Sequence, residues 1–295
     1  MDDVTLLFGM GATKAGTTWL YRYLSAHPEC HFRHLKELHY FNCAENHSFD
    51  WRSNALASKL TRLEGRLAFA PSKRQAALAG EIADIRDWLA TFSQGDADHA
   101  AYLAYLEKGR VAQPVMGDIT PAYAMVNEAS LTAMASLASN VRFIYILRDP
   151  LARLWSNIRM AATRLKQRLG GDLDSHARDA MDRYLAGEHA GIEARSDYAY
   201  TIKALSSVVP AEAVHLTFFE TLFTRAAADR ITDFLGISQR PGQFEKVVHG
   251  GKPLAIDPDQ KARALLRLRP QYEFVSDHFK GAIPQKWHDQ MAEVA

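Results

Sequence analysis

Apolar positions along the chain gather into short continuous runs separated by amphipathic stretches. The first run, residues 4–9 (VTLLFG), is partly β-branched and enters the small-residue turn GMGATKAGTT. A run of this kind predicts a buried parallel strand, and the pattern after it predicts a loop and a helix. The helix spans about Thr17 to Ala26, turns Trp19, Leu20, Tyr23 and Leu24 inward, and stops before Pro28. Residues 35–41, LKELHYF, predict a short extended segment. From Asn42 to about Arg110 the period becomes helical and charged, so that 44–110 forms a helical excursion packed on the core. Further buried strands are expected at 114–119 (PVMGDI), 141–147 (VRFIYIL) and 213–219 (AVHLTFF). The first of these ends in the turn TPAY, followed by a helix near 127–139. The second ends at Arg148-Asp149-Pro150, where Asp149 suits a helix N-cap and Pro150 the first helical position, giving a helix to about Arg168. A helix through ADRITDFLGI follows the last strand, and the tail, 257–295, is helical with a break at Pro270. Strands alternating with helices predict one α/β domain over 1–295, a central parallel sheet with helices on both faces.

Composition narrows the function classes. The chain has 295 residues, is 47% hydrophobic and carries a formal net charge of +1, so no global basic field points to nucleic acid as a partner. Any anion site must be local. Cys30 and Cys43 have neither CxxC nor metal-finger spacing, which argues against a disulfide framework or a zinc site. The apolar run Val4–Met10 is too short for a membrane span, and nothing ahead of it resembles a signal peptide. The expectation is a cytoplasmic globular protein with no membrane span and no metal.

Two stretches carry candidate chemistry. The loop Gly11-Ala12-Thr13-Lys14-Ala15-Gly16-Thr17-Thr18 lies between predicted strand and helix, where free N–H groups and the helix dipole favour phosphate. Lys14 adds a charge, Gly16 lets backbone approach an anion, and Thr17 and Thr18 add hydroxyls. The plainer alternative is a tight turn with an exposed lysine. A nucleoside-triphosphatase P-loop reads GxxxxGK[ST], whereas here the lysine precedes Gly16 by two residues. The second stretch places Arg148 at the carboxyl end of a buried strand and Ser156 about two helical turns on, a compact site for one phosphate. Alternatively, Arg148 pairs with Asp149 and Ser156 is an ordinary helical serine.

The order KxGTTW resembles the 5′-phosphosulfate loop of sulfotransferases that use 3′-phosphoadenosine 5′-phosphosulfate (PAPS), and RFIYILRDPLARLWSNI resembles their 3′-phosphate motif. The P-loop-like strand–loop–helix is therefore identified with that family, closest in motifs to its glycan-type and bacterial branch. The resemblance implies PAPS as co-substrate, its bisphosphate product PAP, and no metal. It assigns Lys14, Ala15, Gly16, Thr17, Thr18, Trp19, Arg148 and Ser156 to the nucleotide, with Tyr198 near the adenine and Lys252, in His249-Gly250-Gly251-Lys252, over the 3′-phosphate. That last run departs from the Arg-Lys-Gly form common in cytosolic animal members. Phe218 and Phe219 read as core. Lys36-Glu37-Leu38-His39-Tyr40-Phe41 resembles the family's KExHFF element, which makes Glu37 the base, with His39 orienting or replacing it. If the segment is extended, both side chains share a face. Otherwise Glu37 is a surface carboxylate paired with Lys36.

GDITPAY is a looser match. Glycan-modifying relatives commonly have lysine at the place of Ile119, which puts a polysaccharide acceptor in doubt; Asp118, Thr120 and Tyr123 line the acceptor side, or else Pro121 and Thr120 shape a turn. The acceptor is a hydroxyl or amine on a small molecule, glycan or lipid. The competing readings are a P-loop kinase or NTPase, and a nucleotide-binding relative without turnover.

Overall fold

The computed structural model describes residues 4–91, 97–242 and 254–293. Its elements run in the order β1 (Thr5–Gly11), α1 (Thr17–Ser25), β2 (Cys30–His31), α2 (Tyr40–Glu45), α3 (Phe49–Leu67), α4 (Ser72–Thr91), α5 (His99–Glu107) and β3 (Val115–Ile119). There follow α6 (Glu128–Ala135), β4 (Asn140–Leu147), α7 (Pro150–Leu169), α8 (Leu173–Leu185), α9 (Ala190–Ala194), α10 (Tyr198–Val208) and β5 (Val214–Phe218). The last are α11 (Phe219–Leu222), α12 (Arg225–Leu235), α13 (Pro258–His278) and α14 (Gln285–Ala292). Five parallel strands, in the order β2-β3-β1-β4-β5, form a single sheet flanked by helices.

Every residue of β1 is buried, as its unbroken apolar run requires of a strand with neighbours on both sides and layers above and below. Phe8 on this strand stacks on Phe143 of β4 at 5.5 Å and meets Phe41 and Tyr123 edge-on at 5.8 and 6.2 Å. One ring in the central strand thereby fixes parts of the next strand, of α2 and of the turn after β3. From β1 the chain passes to the edge strand β2, comes back to β3 beside β1, and then crosses to β4 and β5 on the other side. The order therefore reverses between β1 and β4, and open α/β sheets place ligands at the carboxyl ends of strands flanking such a reversal.

Four local expectations need correction. The sheet has a fifth strand, β2, whose two residues pair with Val115 and Met116 at the edge and leave no readable pattern. Residues 35–41 are not an extended segment: Leu35–His39 is irregular, and α2 already starts at Tyr40. The helix expected near 127–139 ends at Ala135. And α13 continues through Pro270, which lies on the solvent side. The carbonyl that Pro270 leaves without a helical donor belongs to Leu266, itself 57% exposed, so water can supply the missing bond. Asp149 and Pro150 open α7 as their chemistry predicts, Asp149 Oδ1 accepting from the Ala152 N–H at 2.7 Å.

Candidate active site

The loop from Gly11 to Gly16 carries the carboxyl end of β1 into α1. Its Ala12 N–H donates to the Ile146 carbonyl of β4 at 2.8 Å, tying it to the neighbouring strand end. Gly16 adopts a φ of +92°, and a β-carbon there would come within 2.9 Å of Leu222 Cδ2, so backbone freedom and space both demand glycine. No side chain caps α1; the Trp19 N–H turns back to the Gly16 carbonyl at 2.9 Å, which leaves those of Thr17 and Thr18 to a ligand or to water. Ala15 and Thr17 are buried, Thr18 half-buried. Trp19 stacks on Tyr23 at 5.2 Å and meets Phe223 edge-on, anchoring the helix's inner face.

Arg148, at the end of β4, reaches across this loop. Its Nη1 donates to the Lys14 carbonyl at 2.6 Å, and its guanidinium lies 4.3 Å from the centre of the Phe219 ring. Phe219, read as core from sequence, thus supports the arginine; Phe218 packs on Phe279 and Trp287. Arg148 makes no ion pair with Asp149, whose carboxylate caps α7 and accepts from the Tyr272 hydroxyl at 2.7 Å. Tyr198 is fully buried; its hydroxyl donates to the Arg148 carbonyl at 2.6 Å, so in this structure it holds the arginine's backbone and has no free face for an adenine. Ser156 is half-buried on α7, and Lys252 lies outside the described residues.

Electrostatics distinguish this crevice from a solvated surface. Burial first, and then the charges of Arg148, Arg159 and Arg164, hold the Lys14 amine below its usual pKa; Glu37 opposes them. Among the described residues, none of these four cations has a carboxylate within ion-pair distance. Arg159 and Arg164 escaped the sequence reading. The available signal was position, since Arg159 is one helical turn beyond Ser156 and shares its face.

The second group lies on the β3 side of β1. Lys36 Nζ is 2.6 Å from Glu37 Oε1, and His39 Nε2 is 3.8 Å from Glu37 Oε2. Burial alone would raise the Glu37 pKa, but His39 and Lys36 outweigh it and hold the carboxyl down at about 2. The two side chains do meet, though not through strand alternation: Glu37 and His39 have φ of 66° and 60°. Five described non-glycine residues have positive φ, and three of them are Lys14, Glu37 and His39. Strained backbone that the surroundings enforce marks functional sites more often than ordinary surface.

Arg52, on α3, donates to the Glu37 carbonyl. Nothing in the sequence singled it out. Asp118, at the end of β3, is 3% exposed and accepts from Thr120 Oγ1 at 2.7 Å, Tyr123 Oη at 2.6 Å and Tyr102 Oη at 3.1 Å. Burial raises its pKa, against the pull of those hydroxyls and of His39. The TPAY turn is a short 3-10 helix, Pro121–Met125. Among the described residues, no cluster of three or more His, Cys, Asp or Glu is placed to hold a metal, and no helix is long and apolar enough to cross a membrane.

A family model described as the sulfotransferase family matches residues 7–241. The chain belongs to the sulfotransferase family. Among solved structures, this sulfotransferase is similar to one from Alicyclobacillus acidocaldarius, with a TM-score of 0.64 and 17% identity over 98% of this chain and 99% of that one. At that identity the likeness shows a shared fold. Similarity to the sulfotransferase domain of the Synechococcus PCC 7002 olefin synthase is weaker, with a TM-score of 0.46 and 17% identity over 90% of this chain and 94% of that one. The sulfotransferase domain from the curacin biosynthetic pathway gives 0.48 and 18% over 89% and 78%. Neither carries further argument. A search of curated proteins gives no significant match.

Proposed function

We propose that this sulfotransferase moves the sulfuryl group of PAPS onto a hydroxyl or amine of its acceptor by in-line displacement. The observation that carries the reading is the contact of Arg148 with the Lys14 carbonyl across the ends of β1 and β4: two cations without a carboxylate ion-pair partner among the described residues, beside an uncapped helix start. Two phosphate-sized demands at adjacent strand ends suit a 3′,5′-bisphosphate nucleotide. Lys14, with the N–H groups of Gly16, Thr17 and Thr18, takes the 5′-phosphosulfate; Arg148 and Ser156 take the 3′-phosphate. The crowding that depresses the Lys14 amine is relieved by an anion, which supports the fit.

In the reaction, the acceptor oxygen or nitrogen forms a bond to sulfur while the bond from sulfur to the bridging oxygen breaks. The electron pair leaves with PAP, where Lys14 neutralises it, and the acceptor proton passes to Glu37. A carboxylate held at about 2 is ionised at neutral pH but weakly basic. It suffices because the acceptor atom becomes strongly acidic as its bond to sulfur forms, so transfer is downhill late in the displacement. His39 orients the carboxylate. Tyr198, buried beneath Arg148, positions that residue. The chemistry calls for a cytoplasmic supply of PAPS and no metal.

Calorimetry without magnesium tests the reading. PAP should bind more tightly than ATP, and Arg148→Ala should abolish the preference. Preference for ATP with magnesium would instead favour a nucleoside-triphosphate enzyme.

A further inference from the structure

The loop carrying Glu37 and His39 runs from β2 to α2 and is irregular and twice left-handed. Asp84 accepts from the Leu35 N–H at its start at 2.6 Å, and three further contacts hold the backbone at residues 37–40. Arg52 donates to the Glu37 carbonyl. The His39 N–H donates to Thr120 Oγ1 at 3.5 Å, and the Tyr40 N–H donates to the Tyr123 hydroxyl at 3.1 Å. Each of those hydroxyls has a single proton, and both protons are committed to Asp118, at 2.7 and 2.6 Å. Only their lone pairs remain to face the loop, which matches two backbone donors. The polarity of the network thus starts at one buried carboxylate. Thr120 and Tyr123 are fully buried, so water cannot replace either contact.

We propose that Asp118 is a positioning residue: through Thr120 and Tyr123 it clamps the His39 and Tyr40 amides and thereby sets the left-handed loop that presents Glu37. The inference rests on the reading of Glu37 as the base. An asparagine at 118 would offer N–H groups to hydroxyls that must accept from the loop, turning one hydrogen bond of the chain against another. Thr120→Val removes the acceptor for His39 at almost constant volume, while Thr120→Ser keeps it.

The test uses the full chain in three forms, wild type, Thr120→Val and Thr120→Ser, with Asp118→Asn as a fourth where it folds. Amide hydrogen exchange at His39 and Tyr40 reads the clamp, and carbon NMR of the Glu37 carboxyl reads its consequence. In the wild type both amides are protected and Glu37 stays ionised well below 4.5. Thr120→Val should speed exchange at both amides by at least about tenfold. In the same variant Glu37 should drift from its partners His39 and Lys36, so its midpoint rises toward 4.5. Thr120→Ser should restore both signals. A valine variant with protected amides and an unmoved Glu37 midpoint would overturn the proposal, as would a serine variant that fails to rescue. Glu37→Gln, assayed separately for PAP release from PAPS with a phenol, sugar and amine acceptor panel, decides the base reading, which the exchange and titration signals do not depend on.

Discussion

The two halves of the site are built by different means. The β1/β4 half consists of regular elements at their junctions: a strand end, an uncapped helix and an arginine at the end of the next strand, all placed by sheet topology. The β3 half consists of irregular backbone that no ladder supports, held by a buried carboxylate, two hydroxyls and one arginine from another helix. Topology suffices to gather charges for a fixed ligand such as a nucleotide. Orienting a single proton acceptor takes a dedicated hydrogen-bond network, because the loop alone has no reason to hold that shape. A strand-built half should therefore tolerate change in its neighbours better than a network-built one.

Removing the groups proposed to take part in the reaction gives the largest expected effects. Glu37→Gln and Lys14→Met should each lower turnover by about 10²–10³-fold, measured as PAP release from PAPS with an acceptor panel. Near-normal turnover in Glu37→Gln would leave the β3 half without its chemical purpose. Next comes Arg148→Ala, which removes a charge-assisted contact and should weaken PAP by about 10–100-fold in calorimetry. Gly16→Ala comes third: its φ of +92° and the nearby Leu222 and Phe219 side chains put the cost at about 1–3 kcal/mol, read as a lower denaturation midpoint.

A subtler prediction separates the halves by pH. The Glu37 pKa is depressed from 4.5 to about 2, so the stability it contributes is present above 4.5 and is lost as pH falls from there toward 2. Lys36→Met removes one of the two partners opposing burial. Its Glu37 should titrate closer to 4.5, moving the acid limb of kcat/KM upward while PAP affinity at neutral pH stays unchanged. The smallest effect runs the other way. Because burial and three arginines crowd Lys14, Lys14→Met should slightly stabilise the ligand-free protein while ruining its activity.

The same division explains how much could be read from the residues. Strands β1, β3, β4 and β5, the Asp149–Pro150 start of α7 and the Lys14 loop follow from apolar runs and local capping chemistry, which are properties of neighbouring positions. Family resemblance pointed to Glu37 and His39, but for the wrong local reason: alternation along a strand would bring them together, whereas left-handed backbone does so here. Arg52 is 15 residues from the carbonyl it holds, and Asp118 acts on amides about 80 positions away. No sequence period connects such partners. Tyr198, set near the adenine by resemblance, packs against Tyr145 and Trp287 with its hydroxyl on the Arg148 carbonyl, a contact 50 positions away that no local pattern announces.

The central claim is that nucleotide binding belongs to the β1/β4 half and proton acceptance to the β3 half. Its most direct test is the PAP dissociation constant of Arg148→Ala and Glu37→Gln, measured side by side by magnesium-free calorimetry. The account predicts a loss confined to Arg148→Ala, with Glu37→Gln binding as tightly as the wild type. Equal losses in both, or a loss in Glu37→Gln alone, would contradict it.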